Sequence, residues 1–392
     1  MRCSFEFDRS DPIYFSGETI SGRAVLTTKS ELSVNEIFLL FVGEGKVRFQ
    51  DVRELSLTGH EVFRGRQTYL STRTNVNESG TLPAGTHTFP FSTFLPPDCP
   101  SSVVSEYGKI WYEIELCIGL PDRQSKIFKK PLTVLQTYNL NMSPLLLIPL
   151  VHEDIKHFCC WHCRSGPVLS TLTIPFGGYA PGQKVRFNLE VDNQSSRRDL
   201  VGMEMRLKQV YKLQAQTPAL HSYEEEHIVA HSYQKAKVLR LSKREIEGTL
   251  TIPAVPPSSR ESNIVSVSYE VQLTIDLNDC QTDPDLYVPI VIGTIPLVQS
   301  AEDPAHVAEL IARVPDNPSI LVTQRTPTSD LPPNDDYGPP TFEEATIVGK
   351  KFMDIDEEEE GRSDHFMPRY PMYTNFGRTP PPHSKGSGSA VL

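Results

Sequence analysis

An alternation of apolar and polar residues runs through the first 300 residues, and it restricts the fold more than any other feature. It is clearest at residues 112–118, 185–191 and 267–275. Successive side chains of a strand point to opposite faces, so each run predicts one buried face and one solvated face. Helical periodicity is missing from this part, apart from a short helix that residues 101–106 could form. We therefore predict an all-β fold of antiparallel sandwich strands.

Two signatures occur twice and in the same order. Tyr-x-x-Gly followed by Glu or Gln begins at Tyr14 and again at Tyr179, 165 residues later. The second is a proline pair ahead of a Tyr-Glu strand, with the members Pro96, Pro97 and Tyr112 in one copy and Pro256, Pro257 and Tyr269 in the other. The repeat predicts two related domains in tandem. The simpler explanation is that glycine turns precede strands in many unrelated β proteins.

The last 92 residues differ in composition from the rest. They contain 13 of the 33 prolines and have a net formal charge of −8, from 16 acidic and 8 basic residues. A segment of this kind cannot bury enough apolar surface to fold by itself, so we predict a disordered, acidic, proline-rich tail. Its acidic run at residues 354–360 is either a solubilising spacer or a contact for a basic partner. The net charge of −11 for the whole chain argues against nucleic acid as a partner.

We expect no secretory signal, no myristoylation and no membrane span. The amino terminus has no apolar stretch typical of a secretory signal, and Arg2 occupies the position where myristoylation requires glycine. No uncharged apolar run approaches the roughly 18 residues of a membrane span. We expect a cytoplasmic protein whose seven cysteines are reduced thiols.

Five segments of the body have distinctive sequences, namely residues 15–22, 95–102, 110–114, 159–167 and 178–182. These segments resemble the arrestin fold family, and specifically the arrestin domain-containing proteins (α-arrestins). The resemblance implies two tandem arrestin-like, immunoglobulin-like β-sandwich domains and a disordered C-terminal tail. The N-terminal domain would cover residues 5–148, the C-terminal domain residues 149–300, and the tail residues 301–392.

The resemblance also implies a function. Members of this family are non-enzymatic adaptors that bind membrane protein cargo and recruit WW-domain ubiquitin ligases or sorting machinery. Such a protein would associate peripherally with the plasma membrane and endosomes. The alternative is a retromer-like coat subunit, which uses a similar tandem as a permanent part of a sorting assembly.

One tail motif would recruit the ligase. Family members dock on WW domains through Pro-Pro-x-Tyr, and the best match here is Pro339-Pro340-Thr341-Phe342, with Phe in place of Tyr. A proline pair presets the polyproline II conformation that WW domains recognise. We therefore interpret Pro339, Pro340 and Phe342 as a weak WW ligand. The alternative is a proline-rich fragment without a partner.

Two further groups of residues leave alternatives open. Cys159, Cys160, His162 and Cys163 are zinc-ligand types, but we place them in an opening strand of the second sandwich, where they could not converge without a turn. Buried cysteines are commonly small core residues, and acylation of these thiols is a further alternative. The second group consists of basic residues, which would contact anionic lipid or a phosphorylated cargo, or only solvent. They are Lys126, Lys129, Lys130, Arg197, Arg198, Lys235, Lys237, Arg240, Lys243 and Arg244.

No known catalytic arrangement occurs in the sequence. It lacks a Gly-x-Ser-x-Gly elbow, a phosphate-binding glycine loop and a His-Glu-x-x-His motif. We therefore expect no enzymatic activity, no catalytic residue, no cofactor and no bound metal.

Overall fold

The computed structural model describes residues 1–9, 13–51, 61–121, 123–157, 159–160, 163–260, 263–277, 285–297, 346–347 and 367–373. Its regular structure is β-strand, apart from the short 3₁₀ helices Leu140–Met142 and Pro144–Leu147. The all-β prediction is confirmed. The short helix that residues 101–106 could form is not found, because Val103–Val104 forms a strand whose side chains are buried.

The first sandwich is formed by β1 (Arg2–Phe7), β2 (Ile13–Phe15), β3 (Thr19–Thr28), β4 (Leu32–Val34), β5 (Glu36–Asp51), β6 (Glu61–Asn77), β7 (Gly80–Leu82), β8 (Gly85–Phe94), β9 (Val103–Val104), β10 (Gly108–Leu120) and β11 (Arg123–Leu135). One sheet has the order β1-β3-β8, and the other has the order β2-β11-β10-β5-β6, with β9 paired to β10. The sheets pack through apolar side chains such as Phe41 and Phe91, whose ring centroids are 5.7 Å apart.

The second sandwich is formed by β12 (Leu150–Lys156), β13 (Cys159–Cys160), β14 (Cys163–Arg164), β15 (Val168–Ile174), β16 (Gly178–Tyr179), β17 (Lys184–Asn193), β18 (Leu200–Ala215), β19 (His221–Val238), β20 (Ser242–Thr251), β21 (Val265–Leu277) and β22 (Asp285–Ile292). Its sheets have the orders β12-β15-β17-β20 and β16-β22-β21-β18-β19. The predicted alternation is confirmed in β17, where Val185, Phe187, Leu189 and Val191 are all buried.

Strand β10 departs from simple alternation. Tyr112 and Ile114 are buried as predicted, but Glu115 on the opposite face is buried too. The strand lies between β5 and β11, and the ammonium of Lys129 on β11 is 2.5 Å from a Glu115 carboxylate oxygen and 2.8 Å from one of Glu113. The buried carboxylate of Glu115 on the outer face of the sheet is therefore neutralised by an ion pair with Lys129.

The first repeated signature forms the same turn in both sandwiches. Gly17 and Gly182 have φ values of +87° and +92°, in the left-handed region that glycine enters without steric cost. The amide two residues before each glycine donates to the side chain just after it, to Glu18 Oε2 at 2.9 Å and to Gln183 Oε1 at 2.7 Å. The Glu or Gln of the signature therefore binds the backbone of its own turn.

The second repeated signature has a different register from the one that the sequence predicted. Tyr112 Oη donates to the carbonyl of Pro100 at 2.8 Å, and Tyr269 Oη donates to that of Pro256 at 2.6 Å. Pro100, not Pro96, is thus the counterpart of Pro256. The proline offset becomes 156 residues, close to the 157 between the two tyrosines.

Two short pieces of the tail are also described. β23 (Thr346–Ile347) pairs antiparallel with β24 (Arg369–Tyr370). Residues 367–373, which we call the docked segment, lie against both sandwiches. Within the described part of the chain, helices long and apolar enough for a membrane span are absent.

Candidate functional site: the junction between the sandwiches

One part of the contact between the two sandwiches is formed by the end of β5, the start of β6 and the start of β19. The ring of Phe63 stacks on His221 with centroids 4.3 Å apart, and Phe49 stacks on Tyr223 at 5.2 Å. Next to these rings, the amide of Arg64 donates to the carbonyl of Thr217 at 2.8 Å. Stacked aromatic pairs stabilise a contact beyond the area that they bury, so this junction is a specific contact rather than a loose one.

The connection between the sandwiches binds the chain that leaves the second one. The amide of Tyr138 donates to Thr294 Oγ1 at 2.8 Å, and the amide of Thr294 donates back to the Tyr138 carbonyl at 3.0 Å. Asn141 Nδ2 donates to the carbonyl of Pro296 at 2.7 Å. Residues 294–296, near the end of the described body, therefore lie beside the connection between the sandwiches.

Tyr370 of the docked segment fills a pocket that both sandwiches build. Its side chain is 1% exposed and packs with Ile13 of β2, Leu135 of β11 and Ala254, which follows β20. Its hydroxyl donates to the carbonyl of Ser102 at 3.0 Å. Burial raises the pKa of Tyr370 well above 10.0, so the phenol stays neutral and keeps its proton for this hydrogen bond. We call this pocket the interdomain slot.

The backbone of the docked segment is also held on both sides. The amide of Arg369 donates to Thr133 Oγ1 of the first sandwich at 3.2 Å. Tyr373 binds the second sandwich, where its amide donates to the carbonyl of Pro181 at 3.0 Å and its hydroxyl to the carbonyl of Thr294 at 2.7 Å. The segment thus joins the two domains through directional bonds at both ends.

The sequence prediction does not include the docked segment, because it rests on the average composition of residues 301–392. The local composition nevertheless differs from the rest of the tail. Residues 367–373 contain two methionines, two tyrosines, two prolines and a single charged residue, and they follow the acidic run 354–360. A short cluster of aromatic and apolar residues in an acidic tail is the signal that could have marked a buried motif.

The predicted WW ligand lies elsewhere in the chain. Pro339, Pro340 and Phe342 fall outside the described residues, and their role stays a prediction.

The cysteine-rich segment differs in backbone from its predicted position. The opening strand of the second sandwich is β12, and β13 pairs antiparallel with β14, with Cys160 opposite Cys163. The prediction that these cysteines continue one opening strand is therefore wrong, because the two short strands run in opposite directions. Their side chains and His162 lie outside the description, so the choice between a metal site and a core role stays open.

Cysteines elsewhere in the described part have features of structural thiols. Cys3, Cys99 and Cys117 are free, and burial raises the pKa of each to about 11. A thiol with such a pKa stays protonated near neutral pH and is a poor nucleophile or metal ligand. Among the described side chains, no group of three or more metal-ligand types converges.

The predicted basic clusters are only partly assembled. Lys129 lies on the opposite face of β11 from Lys126 and Lys130, and it is ion-paired as described above. In the second sandwich Arg244 donates to the carbonyl of Lys237 at 2.8 Å, which brings these two residues together. Pairing with carboxylates reduces the attraction of Lys129 for an anionic partner.

Comparison with known proteins identifies the family. A model of the arrestin (or S-antigen) N-terminal domain matches residues 3–141, and one of the C-terminal domain matches residues 164–297. Arrestin domain-containing protein 17 of Caenorhabditis elegans is 30% identical over 303 residues, covering 74% of this chain and 70% of that protein. Human arrestin domain-containing protein 5 is 26% identical over 296 residues, covering 72% of this chain and 84% of that protein.

A further relative extends past the body. Human arrestin domain-containing protein 1 is 24% identical over 343 residues, covering 86% of this chain and 74% of that protein. The tandem sandwiches and the two matched domains define an arrestin. Within that class the chain belongs to the family of arrestin domain-containing proteins.

Proposed function

We propose that this protein is a trafficking and ubiquitination adaptor. Its sandwiches bind membrane protein cargo, and its tail recruits WW-domain ubiquitin ligases or sorting machinery. The observation that supports this function best is the order of parts: two arrestin domains within residues 3–297, followed by a tail with Pro339-Pro340-Thr341-Phe342. The action is binding rather than chemistry, and weak sites on one chain strengthen each other through tethering.

The tail motif determines how strongly a ligase binds. A proline pair enters a WW groove at a low ordering cost, and the aromatic ring two positions later fills an adjoining pocket. Phe342 supplies the ring but not the hydroxyl. A polar group left unpaired in that pocket costs about 1–3 kcal/mol, which corresponds to binding about 5- to 150-fold weaker than that of a tyrosine motif.

Titration of the full chain against a panel of WW domains tests the ligase arm. Phe342→Tyr should strengthen binding within the range given above, and Pro340→Ala should abolish it. Pro333→Ala is the matched control, because Pro332-Pro333 is a proline pair without an aromatic residue two positions later. If no WW domain binds the parent chain and Phe342→Tyr gives no gain, the ligase arm is wrong.

The proposed location follows from the proposed cargo. An adaptor that binds membrane proteins associates peripherally with the plasma membrane and endosomes. Cell fractionation should recover the chain with membranes and release it at high salt or alkaline pH without detergent. Recovery only in the soluble fraction, in cells that contain the cargo, would contradict this part of the proposal.

A further inference from the structure

We propose that the interdomain slot is a peptide-binding site for a tyrosine flanked by prolines, and that the docked segment is its ligand in cis. The slot needs both sandwiches, since Ile13 and Leu135 come from the first and Ala254 from the second. A ligand bound there holds the two domains in one relative arrangement.

The docked segment has the features of a ligand rather than of a domain edge. It begins 70 residues after Leu297, the last residue of the body that the structure describes. Its contacts with the body include one fully buried aromatic ring, the partly buried side chain of Met372, and hydrogen bonds from Arg369 and Tyr373. A single buried anchor with directional bonds on either side is the usual anatomy of a short peptide in a recognition site.

The chemistry of the slot selects tyrosine. The ring is surrounded by apolar side chains, while the hydroxyl meets the carbonyl of Ser102, which accepts a hydrogen bond and cannot donate one. Phenylalanine would fill the same volume but leave that carbonyl without this donor. A phosphorylated tyrosine has no proton to spare for the carbonyl and would bury two negative charges, so the slot excludes it.

The flanking prolines add a second level of selection. Pro368 is buried, and Pro371 directly follows the anchor tyrosine. Neither proline has an amide hydrogen, so neither leaves an unpaired donor against the protein. Their restricted φ also lowers the entropy that the segment loses on docking.

The docked segment competes with a free peptide for the slot, because both occupy the same site. A peptide in trans binds only the fraction of chains whose slot is open, so its apparent affinity is reduced by that fraction. Removal of the anchor from the tethered copy opens the slot and should restore the intrinsic affinity. The probe is an acetylated and amidated peptide with the sequence of residues 367–373, labelled with a fluorophore.

The full chain is measured in four forms by fluorescence anisotropy. Tyr370→Ala should bind the probe about tenfold or more tightly than the unmodified chain, because its slot is open. Adding Gly182→Ala to Tyr370→Ala should abolish binding, because a Cβ at this position would lie 1.9 Å from the carbonyl oxygen of Tyr373. Adding Gly17→Ala instead is the matched control: this glycine has a similar positive φ in the equivalent turn, but a Cβ there meets nothing within 4 Å.

Several results would overturn the proposal. One is equal binding of the probe to Tyr370→Ala and to the unmodified chain. Another is undiminished binding to the form that also contains Gly182→Ala. A third is equal binding of a probe in which the tyrosine that corresponds to Tyr370 is replaced by alanine and the one that corresponds to Tyr373 is kept, since the anchor would then have no role.

Amide hydrogen exchange on the full chain gives an independent check that does not rely on the added peptide. The amides of Arg369 and Tyr373 are hydrogen-bonded in the docked segment. Both should exchange more slowly in the unmodified chain than in Tyr370→Ala. Equal and unprotected exchange in the two chains would contradict docking itself, whatever the probe does. WW binding through Pro340 is unaffected by either result, so the two proposals fail separately.

Discussion

At the scale of single residues, two buried tyrosine hydroxyls fix the chain at equivalent places in the two sandwiches. Tyr112 and Tyr269 are both nearly inaccessible to solvent, and each donates to a proline carbonyl. The hydroxyl of Tyr269 also accepts from Gln209 Nε2 at 2.8 Å. A buried polar group that loses its partner costs more than the bond itself contributed, so these hydroxyls matter to stability.

Tyr269→Phe should therefore destabilise the second sandwich by about 1–3 kcal/mol, since it leaves two buried groups without that partner. Tyr112→Phe should cost less, about 1 kcal/mol, because only one of its partners, the carbonyl of Pro100, is a strong one, and the other, the thiol of Cys99, is a weak hydrogen-bonding group. Urea unfolding followed by tyrosine and tryptophan fluorescence measures both. Tyr233→Phe is the control, because that side chain is 53% exposed. Equal midpoints for all three variants would refute the role of the buried hydroxyls.

The same tyrosines predict a loss of stability at alkaline pH. Burial raises the pKa of Tyr112 and Tyr269 well above 10.0. In the unfolded chain these phenols ionise near pH 10, whereas in the folded chain they stay protonated. Their contribution is thus complete below about pH 10 and is lost as the pH rises from there through the raised folded values. Unfolding midpoints measured across this range should fall, and should fall less in the Tyr112→Phe, Tyr269→Phe double variant. An equal fall in both chains would assign the effect to other groups.

At the scale of elements, most strands follow from local pattern, and the exceptions have physical causes. The alternation at residues 185–191 predicts β17 because one face of that strand is buried and the other solvated. The duplicated Tyr-x-x-Gly turn was recognisable because a positive φ requires glycine at one fixed position. The sequence does not show which proline of the first sandwich corresponds to Pro256. Pro96 and Pro100 both precede the Tyr112 strand, and only the hydrogen bond from Tyr112 to Pro100 distinguishes them.

The junction was less accessible to sequence reasoning. Ile13, Leu135, Ala254 and Tyr370 are far apart in the chain, and no local period connects them. The docked segment depends on long-range packing, which a single sequence does not reveal. The candidate site is therefore visible only in the structure, whereas the sandwich fold can be predicted from the sequence.

The turn glycines give a test at this scale. Gly17→Ala should destabilise the first sandwich by about 1–2 kcal/mol, because an L-residue at this φ brings its Cβ close to the following carbonyl. Gly80→Ala is a suitable control: a Cβ there also meets nothing within 4 Å, and its φ is not in the left-handed region. Thermal unfolding by circular dichroism compares them. Equal effects of the two substitutions would mean that conformational strain is not what the signature glycine avoids.

At the scale of the whole molecule, the contacts that join the two similar domains include the aromatic stack, the connection around Tyr138, and the docked segment. The first two link residues within the body. The third uses the tail, so the tail takes part in the arrangement of the body as well as in the proposed recruitment of partners. In the proposed adaptor, the docked segment can couple the binding of cargo by the sandwiches to the exposure of binding motifs in the tail.

Limited proteolysis should separate these parts. We expect the first cuts within residues 301–366, because that segment is acidic and rich in proline and follows the last strand of the body. The body should survive, and the fragment that contains residues 367–373 should co-elute with it under native conditions. Early cleavage inside either sandwich, with the tail intact, would contradict this organisation.

The central claim is that the body binds membrane proteins and the tail binds WW-domain ligases. Quantitative affinity purification from one cell type tests it most directly. Three chains are compared: the full chain, full-length Pro340→Ala, and a chain that ends at Gln299. Full-length Tyr370→Ala is the control for loss of the docked segment alone. We predict that all four retain the same membrane proteins, while WW-domain ligases copurify only with the full chain and Tyr370→Ala. Ligases retained by the chain that ends at Gln299, or membrane proteins lost from it and kept by Tyr370→Ala, would contradict the proposed adaptor.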